Sequence, residues 1–572
     1  MAIENLITDH LDIWTAAVRP KSSAGRGSNS KLELTGIKKL RELILELAVR
    51  GKLVPQDPSD EPASVLLERI AAEKALLVKE GKIKKPKALP EISEEEKRIE
   101  LPEGWAELRL GAAINVLNGR AYKKHEMLES GTPLLRVGNL FTSDKWYYSD
   151  LELEPEKYID NGDLIYSWSA SFGPFIWNGG RVIYHYHIWK MDIFDPNSLD
   201  KHFMCLYLDA ISASIKASGN GIAMVHMTKE KMEQLVIPIP PISEQHRIVA
   251  KVDELMALCD QLELRSESQL AAHQTLVDTL LATLTDSCDA DELAQNWARL
   301  TTHFDILFTT EASIDALKQT ILQLAVMGKL VPQDPSDEPA SVLLERIAAE
   351  KAQLVKEGKI KKQKPQSVLT EEEKAFELPN GWKWVRLQQL VTLLGDGLHG
   401  TPSYDENGDY FFVNGNNLDN GRITIKPDTK RVNKLEFEKY KKNLTDRTIL
   451  VSINGSLGKV GFYAGEKIVL GKSACYFNLS GLLSKVYFKR VIESSYFTDY
   501  AFSKATGSTI KNLGLKAMNE FPIALPPIEE MKRIISRIEQ LIALCDQLKV
   551  RLQTNQQTQL ALAESLVEGA LA

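Results

Sequence analysis

The amino-acid sequence predicts an α+β protein, with two globular α+β blocks joined by long antiparallel helices (a coiled coil) in a pseudo-twofold tandem duplication. Three observations lead there. The segment from Gly51 to Lys85 recurs from Gly328 to Lys362 with one difference, Leu76 against Gln353. An apolar stripe at coiled-coil spacing follows each of two unlike stretches of chain. Those unlike stretches carry short β-branched and aromatic runs between turn residues, the pattern of strands in a mixed globular unit.

Along the chain, residues 1–103 form a helical region. HLDI at His10 echoes HFDI at His303 at an offset of 293, against 277 for the main repeat, so the first copy carries extra residues around KSSAGRGSNS. That small, polar stretch predicts a flexible loop near 20–36. GIKKLRELILELAVRGKL from Gly36 is matched by DALKQTILQLAVMGKL from Asp315, and both amphipathic patterns stop at Gly-Lys-Leu-Val-Pro, a helix-ending signal. ELPEGWAELRL from Glu100 matches ELPNGWKWVRL from Glu377. The likeness then vanishes over two variable blocks, 104–240 and 381–526, and returns at PPISEQHRIVAKVDEL from Pro240 and PPIEEMKRIISRIEQL from Pro526. The central helical region is 241–380 and the last is 527–572.

Apolar residues after Pro241 fall at Ile248, Val252, Leu255, Cys259 and Leu262, then resume at Leu276 and Leu280. The second copy reads Ile534, Ile538, Leu541, Cys545, Leu548 and Leu552, then Leu562 and Leu566. These are seams of two long helices, each of ~64 Å at 1.5 Å per residue. A solenoid would repeat every 20 to 50 residues throughout, so a period near 280 around an unlike core excludes one. Because each half supplies an equivalent helix set, the economical packing lays helices of one half antiparallel to those of the other.

A chain of 572 residues, 44% apolar and 26% charged, is too long for one domain and is neither disordered nor collagenous. Five cysteines lie far apart without a CxxC pair, so reduced structural thiols are expected rather than zinc ligands or disulfides. No run of apolar residues reaches membrane-spanning length, MAIENLITDH lacks a secretory pattern, and a cytoplasmic location is expected. The net charge of -7 hides an asymmetry. Residues 381–526 hold 20 basic against 13 acidic side chains, a net +7, while residues 104–240 hold 13 against 16, a net -3. The second block thus has the electrostatic footprint of a phosphate-contacting domain.

Polar, Gly-rich loops occur at comparable places in both blocks. In the first they offer Arg120, Lys123 and Lys124 (NGRAYKKHE), Arg136 and Asn139 (LLRVGNL), Ser167, Ser169 and Ser171 (SWSASFG) and Asn220 (SGNG). In the second they offer His399 and Thr401 (DGLHGTP), Asn414, Asn416 and Asn417 (VNGNN), Asn454, Ser456 and Lys459 (NGSLGK), and Thr506, Ser508 and Lys511 (TGSTIK). Arg matches guanine and Asn matches adenine in the major groove, while Ser, Thr and backbone amides serve phosphates. The same dipeptides mark ordinary turns in any protein, and His399 reads more readily as a turn residue than as a base catalyst.

Catalytic signatures are missing. GKS at Gly471 has Glu466 where a P-loop needs glycine. There is no HExxH, both Pro-Pro pairs are followed by isoleucine rather than an aromatic residue, and PDTK at Pro427 lacks the second acidic element of a nuclease. No catalytic, cofactor or metal residue is assigned. A binding protein is expected, the alternatives being an enzyme with an unfamiliar motif and a protein-binding coiled-coil scaffold without DNA specificity.

The whole arrangement resembles the specificity subunit of Type I restriction-modification enzymes. IPIPPISEQHRIVAKVDEL from Ile237 and ALPPIEEMKRIISRIEQL from Ala524 are similar to the family's sequence after each target-recognition domain, and ELPEGW and ELPNGW to its lead-in. GIKKLRELILELAVRGKLVPQD suggests the IB subgroup; Met531 and Lys532 depart from the usual Gln of the second exit. The resemblance implies two target-recognition domains, each reading half of a bipartite double-stranded DNA site, with the helices setting the gap. It implies two methyltransferase subunits docked on the helical regions and two translocase/endonuclease subunits completing the complex. S-adenosylmethionine, ATP and Mg are then expected on those partners, not on this chain.

Overall fold

The computed structural model describes residues 3–20, 32–85, 87–97, 100–169, 171–217, 227–363 and 366–571. The Gly/Ser-rich stretch after Pro20 and Asn220 lie outside them. The chain divides into two compact units, one of residues 1–269 with 555–572 and one of residues 270–554. Each long helix therefore starts in one unit and ends in the other: Ile242–Asp286, of 45 residues, and Ile528–Leu571, of 44.

In the first unit the helix Thr35–Val49 carries Ile37, Leu40, Leu43, Ile44 and Leu47 on a buried stripe at helical spacing. It ends at Gly51, whose φ of 66° only glycine adopts readily, with Lys52 N–H donating to Leu47 O at 2.9 Å. A Cβ on Gly51 would also meet the Trp105 ring at 2.9 Å, so the glycine serves both the helix stop and the seat of the ELPEGW tryptophan. Trp105 Nε1 donates to Glu244 at 3.0 Å and Gln56 Nε2 donates to the same carboxylate at 2.9 Å, while Arg247 pairs with Asp60 at 2.7 Å. Burial pushes the Glu244 carboxyl up from its ordinary range, against these hydrogen bonds. Arg41 by Asp260 and Gln56 by Glu244 make Thr35–Val49 antiparallel to the first long helix, whereas Lys39 by Glu564 and Lys52 by Leu571 make it parallel to the end of the second. The two long helices are accordingly antiparallel there.

The second unit repeats these contacts in its own residues. Trp382 Nε1 and Gln333 Nε2 donate to Glu530 at 3.0 and 3.1 Å, and Arg533 pairs with Asp337 at 2.7 Å. The helix Glu311–Val326 lies antiparallel to the second long helix, with Asp315 by Lys549 and Lys318 by Asp546. His273 by Ile306 and Thr285 by Lys329 place the end of the first long helix parallel to it. One correction follows from burial. The heptad reading puts Leu276 and Leu562 on the seam, yet both are exposed, and Val277, Leu281 and Leu284 in one helix and Ala563 in the other are buried instead. Cys259 to Val277 and Cys545 to Ala563 each span 18 residues, five turns of a straight 3.6-residue helix, so the stripe drifts off a 3.5-residue period.

The variable blocks share a topology that their sequences conceal. In each, an antiparallel ribbon closes the block: Ala106–Arg109 with Val236–Ile239, and Lys383–Arg386 with Pro522–Leu525. One sheet orders Ile114–Asn118, Ile188–Ile193, Leu164–Ser169 and Ser171–Ile176; its counterpart orders Val391–Asp396, Ala474–Leu479, Thr448–Ser452 and Val460–Phe462. The other sheet is built on a parallel pair, Thr132–Leu135 with Val182–Tyr184 and Tyr410–Val413 with Ile468–Leu470. Arg109 and Arg386 are buried and make paired hydrogen bonds to Glu96 and Glu373, tying the lead-in to the ribbon. The exit differs between copies. Gln245 accepts from Asp200 N–H at 2.8 Å and donates to Pro240 O at 2.9 Å, whereas Met531 fills the same place as a buried apolar side chain.

Candidate nucleic-acid interface

Strand ends position the loops singled out in the sequence, and backbone bonds bring them together. In the first block the turn from Tyr184 to Ile188 touches three of them. Arg120 N–H donates to Tyr184 O at 3.1 Å and Tyr186 N–H to Arg120 O at 3.1 Å; His185 N–H donates to Leu135 O at 2.9 Å, and Trp168 N–H to His187 O at 3.2 Å. Arg120, the Arg136–Asn139 loop and Ser167–Ser171 thus meet around one turn. The second block repeats the geometry, with the turn 286 residues on and the loops it meets 278 or 285 residues on. Leu398 N–H donates to Leu470 O at 2.7 Å, Gly471 N–H to Val413 O at 2.8 Å, and Ile453 N–H to Ser473 O at 2.9 Å. A Cβ on Gly119 would lie 2.4 Å from His185 O, and one on Gly397 2.2 Å from Gly471 O, so glycine permits the same close approach in both.

Within these clusters the candidates divide by what their side chains do. Arg120 is committed to Glu126, Nη2 to Oε1 at 2.6 Å, and lies over the Tyr122 ring. That guanidinium, with the Lys123 N–H, holds the Glu126 carboxyl down at about 2. Lys123, Lys124 and Arg136 are exposed, Arg136 lying over the Tyr147 ring at 5.2 Å. Asn139 accepts from Arg136 N–H and donates to Ser143 and Lys145 carbonyls. Ser167 and Ser169 are buried, and Ser167 Oγ donates to Ser171 O at 2.6 Å; Ser171 is half-buried. In the second block Asn417 is 4% exposed and its amide is spent within the loop, accepting from Asn414 N–H and donating to Thr424 O and Thr429 Oγ1. Asn416 beside it is exposed. Asn414 accepts from Ser473 Oγ at 2.9 Å.

His399 is exposed and contacts Asp396, and Thr401 is exposed. Asn454 bonds Asn512 through its side chain at 3.3 Å and Gly455 N–H donates to Lys511 O, which joins the NGSLGK loop to TGSTIK. Ser456, Lys459, Thr506 and Ser508 are exposed and Lys511 half-exposed. The structure therefore gathers most of the candidates and shows that Asn139, Ser167 and Asn417 shape their loops from within. Sequence reasoning missed the organising turn. Its signal was the HYH between two β runs in GRVIYHYHIWKM, three rings in a row where a turn was due. Those rings pack at tilted angles: His185 and Tyr186 centroids lie 4.4 Å apart and Tyr186 and His187 3.9 Å, while Trp168 stacks on Trp189 at 5.4 Å. Burial, with His187 and Arg136 nearby, lowers His185 to about 4, so its ring is neutral at pH 7.

Among the described residues no group of His, Cys, Asp and Glu is arranged to hold a metal ion, and no helix is long and apolar enough to cross a membrane. The family model for the Type I restriction modification DNA specificity domain matches twice, over residues 102–272 and 379–556, the two stretches that contain these loop clusters. The chain belongs to the specificity subunits of Type I restriction-modification enzymes. It is 42% identical to the Type I restriction enzyme EcoEI specificity subunit of Escherichia coli, across the full length of both chains. It is equally similar, at 42% over both full lengths, to the EcoAI specificity subunit of Escherichia coli. Among solved structures it is similar to a chain of a type I R-M system, at 17% identity and a TM-score of 0.47 over 82% of this chain and 98% of that one. The chain is a non-catalytic DNA-specificity subunit, whose catalytic partners are other subunits of the system.

Proposed function

We propose that each block reads one half of a bipartite, asymmetric DNA site, and that the shared long helices set the gap between halves. One observation carries this reading: the two loop clusters have equivalent backbones and different side chains, as two readers of two different half-sites require. The near-identical helical regions then serve as docking surfaces for two identical methyltransferase subunits, and two translocase/endonuclease subunits complete the restriction complex. S-adenosylmethionine, ATP and Mg belong to those partners, and the assembly works in the cytoplasm. The lead-in region supports placement in the IB subgroup. Of the candidates, the exposed Lys123, Lys124, Arg136, His399, Thr401, Asn416, Ser456, Lys459, Thr506 and Ser508 are the ones offered to DNA directly.

The test is duplex binding by the chain together with its methyltransferase partner over a range of salt. Affinity should fall linearly on a log–log scale, by a slope of about 0.9 per phosphate neutralised. Adenines methylated in the source cell should map to one two-part site. Binding indifferent to salt, or methylation without a two-part consensus, would overturn the reading.

A further inference from the structure

We infer that the turn from Tyr184 to Ile188, with Tyr186 and His187 at its tip, is the central base-reading element of the first block, and that Lys472 holds the same post in the second. The inference rests on the DNA-recognition reading above and names residues that set each half-site. The position argues first. In each block this turn is bonded to three neighbouring loops, through Arg120, Leu135 and Trp168 in the first and through Leu398, Val413 and Ile453 in the second. Whatever meets those loops meets the turn.

Chemistry argues next. The turn closes with the same bond in both blocks, Ile188 N–H to His185 O at 3.0 Å and Ala474 N–H to Gly471 O at 3.1 Å. The second block makes it from Gly471, Lys472 and Ser473, without a ring. Rings are therefore not needed to form the turn, and a structural explanation for His185, Tyr186 and His187 falls short. Tyr186 is 40% exposed, a large apolar face at the tip, with its histidine neighbours packed against it at tilted angles. The first block also carries a net charge of -3, so its affinity cannot come from a basic surface alone. A tyrosine ring offers an apolar face to a thymine methyl and a hydroxyl to a base edge, and a histidine ring offers two nitrogens to hydrogen-bond with a base edge. Exposed Lys472 in the +7 block instead suits the O6 and N7 acceptors of guanine. One backbone post thus carries different base-reading chemistry in the two halves.

The test uses the full chain with its methyltransferase partner, a duplex carrying the mapped site, and duplexes in which each base pair is changed singly. Tyr186→Ala and His187→Ala should weaken the cognate duplex by about 5–150-fold and flatten the mismatch penalties in one half-site only. Lys472→Ala should flatten the other half. Tyr186→Lys guards against misfolding, because lysine already occupies that turn in the second block, and it should change preference in the same half-site as Tyr186→Ala. Penalty profiles unchanged in all four variants, or an equal loss on every duplex including Tyr186→Lys, would overturn the inference while leaving DNA recognition intact. An unaltered chain that binds cognate and unrelated duplexes alike would instead sink the reading of function on which it rests.

Discussion

At the scale of single residues, burial separates side chains that the sequence treats alike. Asn416 and Asn417 are adjacent, and both fit an adenine-reading pattern. Asn417 accepts from one backbone amide and donates to two oxygens inside its own loop, so Asn417→Ala should leave those groups unsatisfied at about 1–3 kcal/mol. Thermal melting should fall for Asn417→Ala and stay put for exposed Asn416→Ala, whereas half-site preference should change for Asn416→Ala without any loss of stability. A melting change in Asn416→Ala would place it in the scaffold instead. The same division explains how far the candidate site was legible. Turn dipeptides located the loops, because Gly, Asn and Ser mark turns wherever they occur. They did not say which side chain of each loop points inward, since that depends on how the following chain folds back, as where it brings Thr424 and Thr429, 7 and 12 residues on, to Asn417.

At the scale of elements, repetition showed more than periodicity did. The four long helical patterns lie where the sequence places them, Thr35–Val49 and Glu311–Val326 among them, because amphipathic stripes and Gly-Lys-Leu-Val-Pro stops are local signals. The common topology of the two blocks was invisible, because equivalent strands such as Leu164–Ser169 and Thr448–Ser452 preserve pairing and not side chains. The seam slipped by one residue for a geometric reason. Near Cys259 a heptad count and a straight helix agree, and 18 residues later they differ by about half a residue's turn, enough to pass the seam from Leu276 to Val277. Leu281→Ala, which empties a buried place beside Cys545, should therefore cost about 2–5 kcal/mol. Leu276→Ala, at a residue half exposed, should cost less than about 1 kcal/mol, although heptad counting ranks Leu276 as core. Denaturant unfolding of the two variants decides between them, and equal losses would restore the 3.5-residue register.

At the scale of the whole molecule, the duplication and the shared helices serve one another. Each long helix begins against the junction of its own block, where Trp105 meets Glu244 or Trp382 meets Glu530, and ends among residues of the other unit. Within the second unit, Val277, Leu281 and Leu284 of the first long helix sit in one cluster with Cys545 of the second. A change in helix length is thus felt by both units and not by the loops that would read bases. Inserting seven residues after Leu262 and seven at the equivalent Leu548 lengthens each helix by ~10.5 Å, about three base pairs of duplex at 3.4 Å each, with a drift of ~20° in facing. Binding to a series of duplexes that differ only in the gap between half-sites should then favour a longer gap, or be lost on all of them, while mismatch penalties within each half keep their pattern wherever binding persists. An unchanged preferred gap would mean that the helices hold the readers without measuring the distance between them.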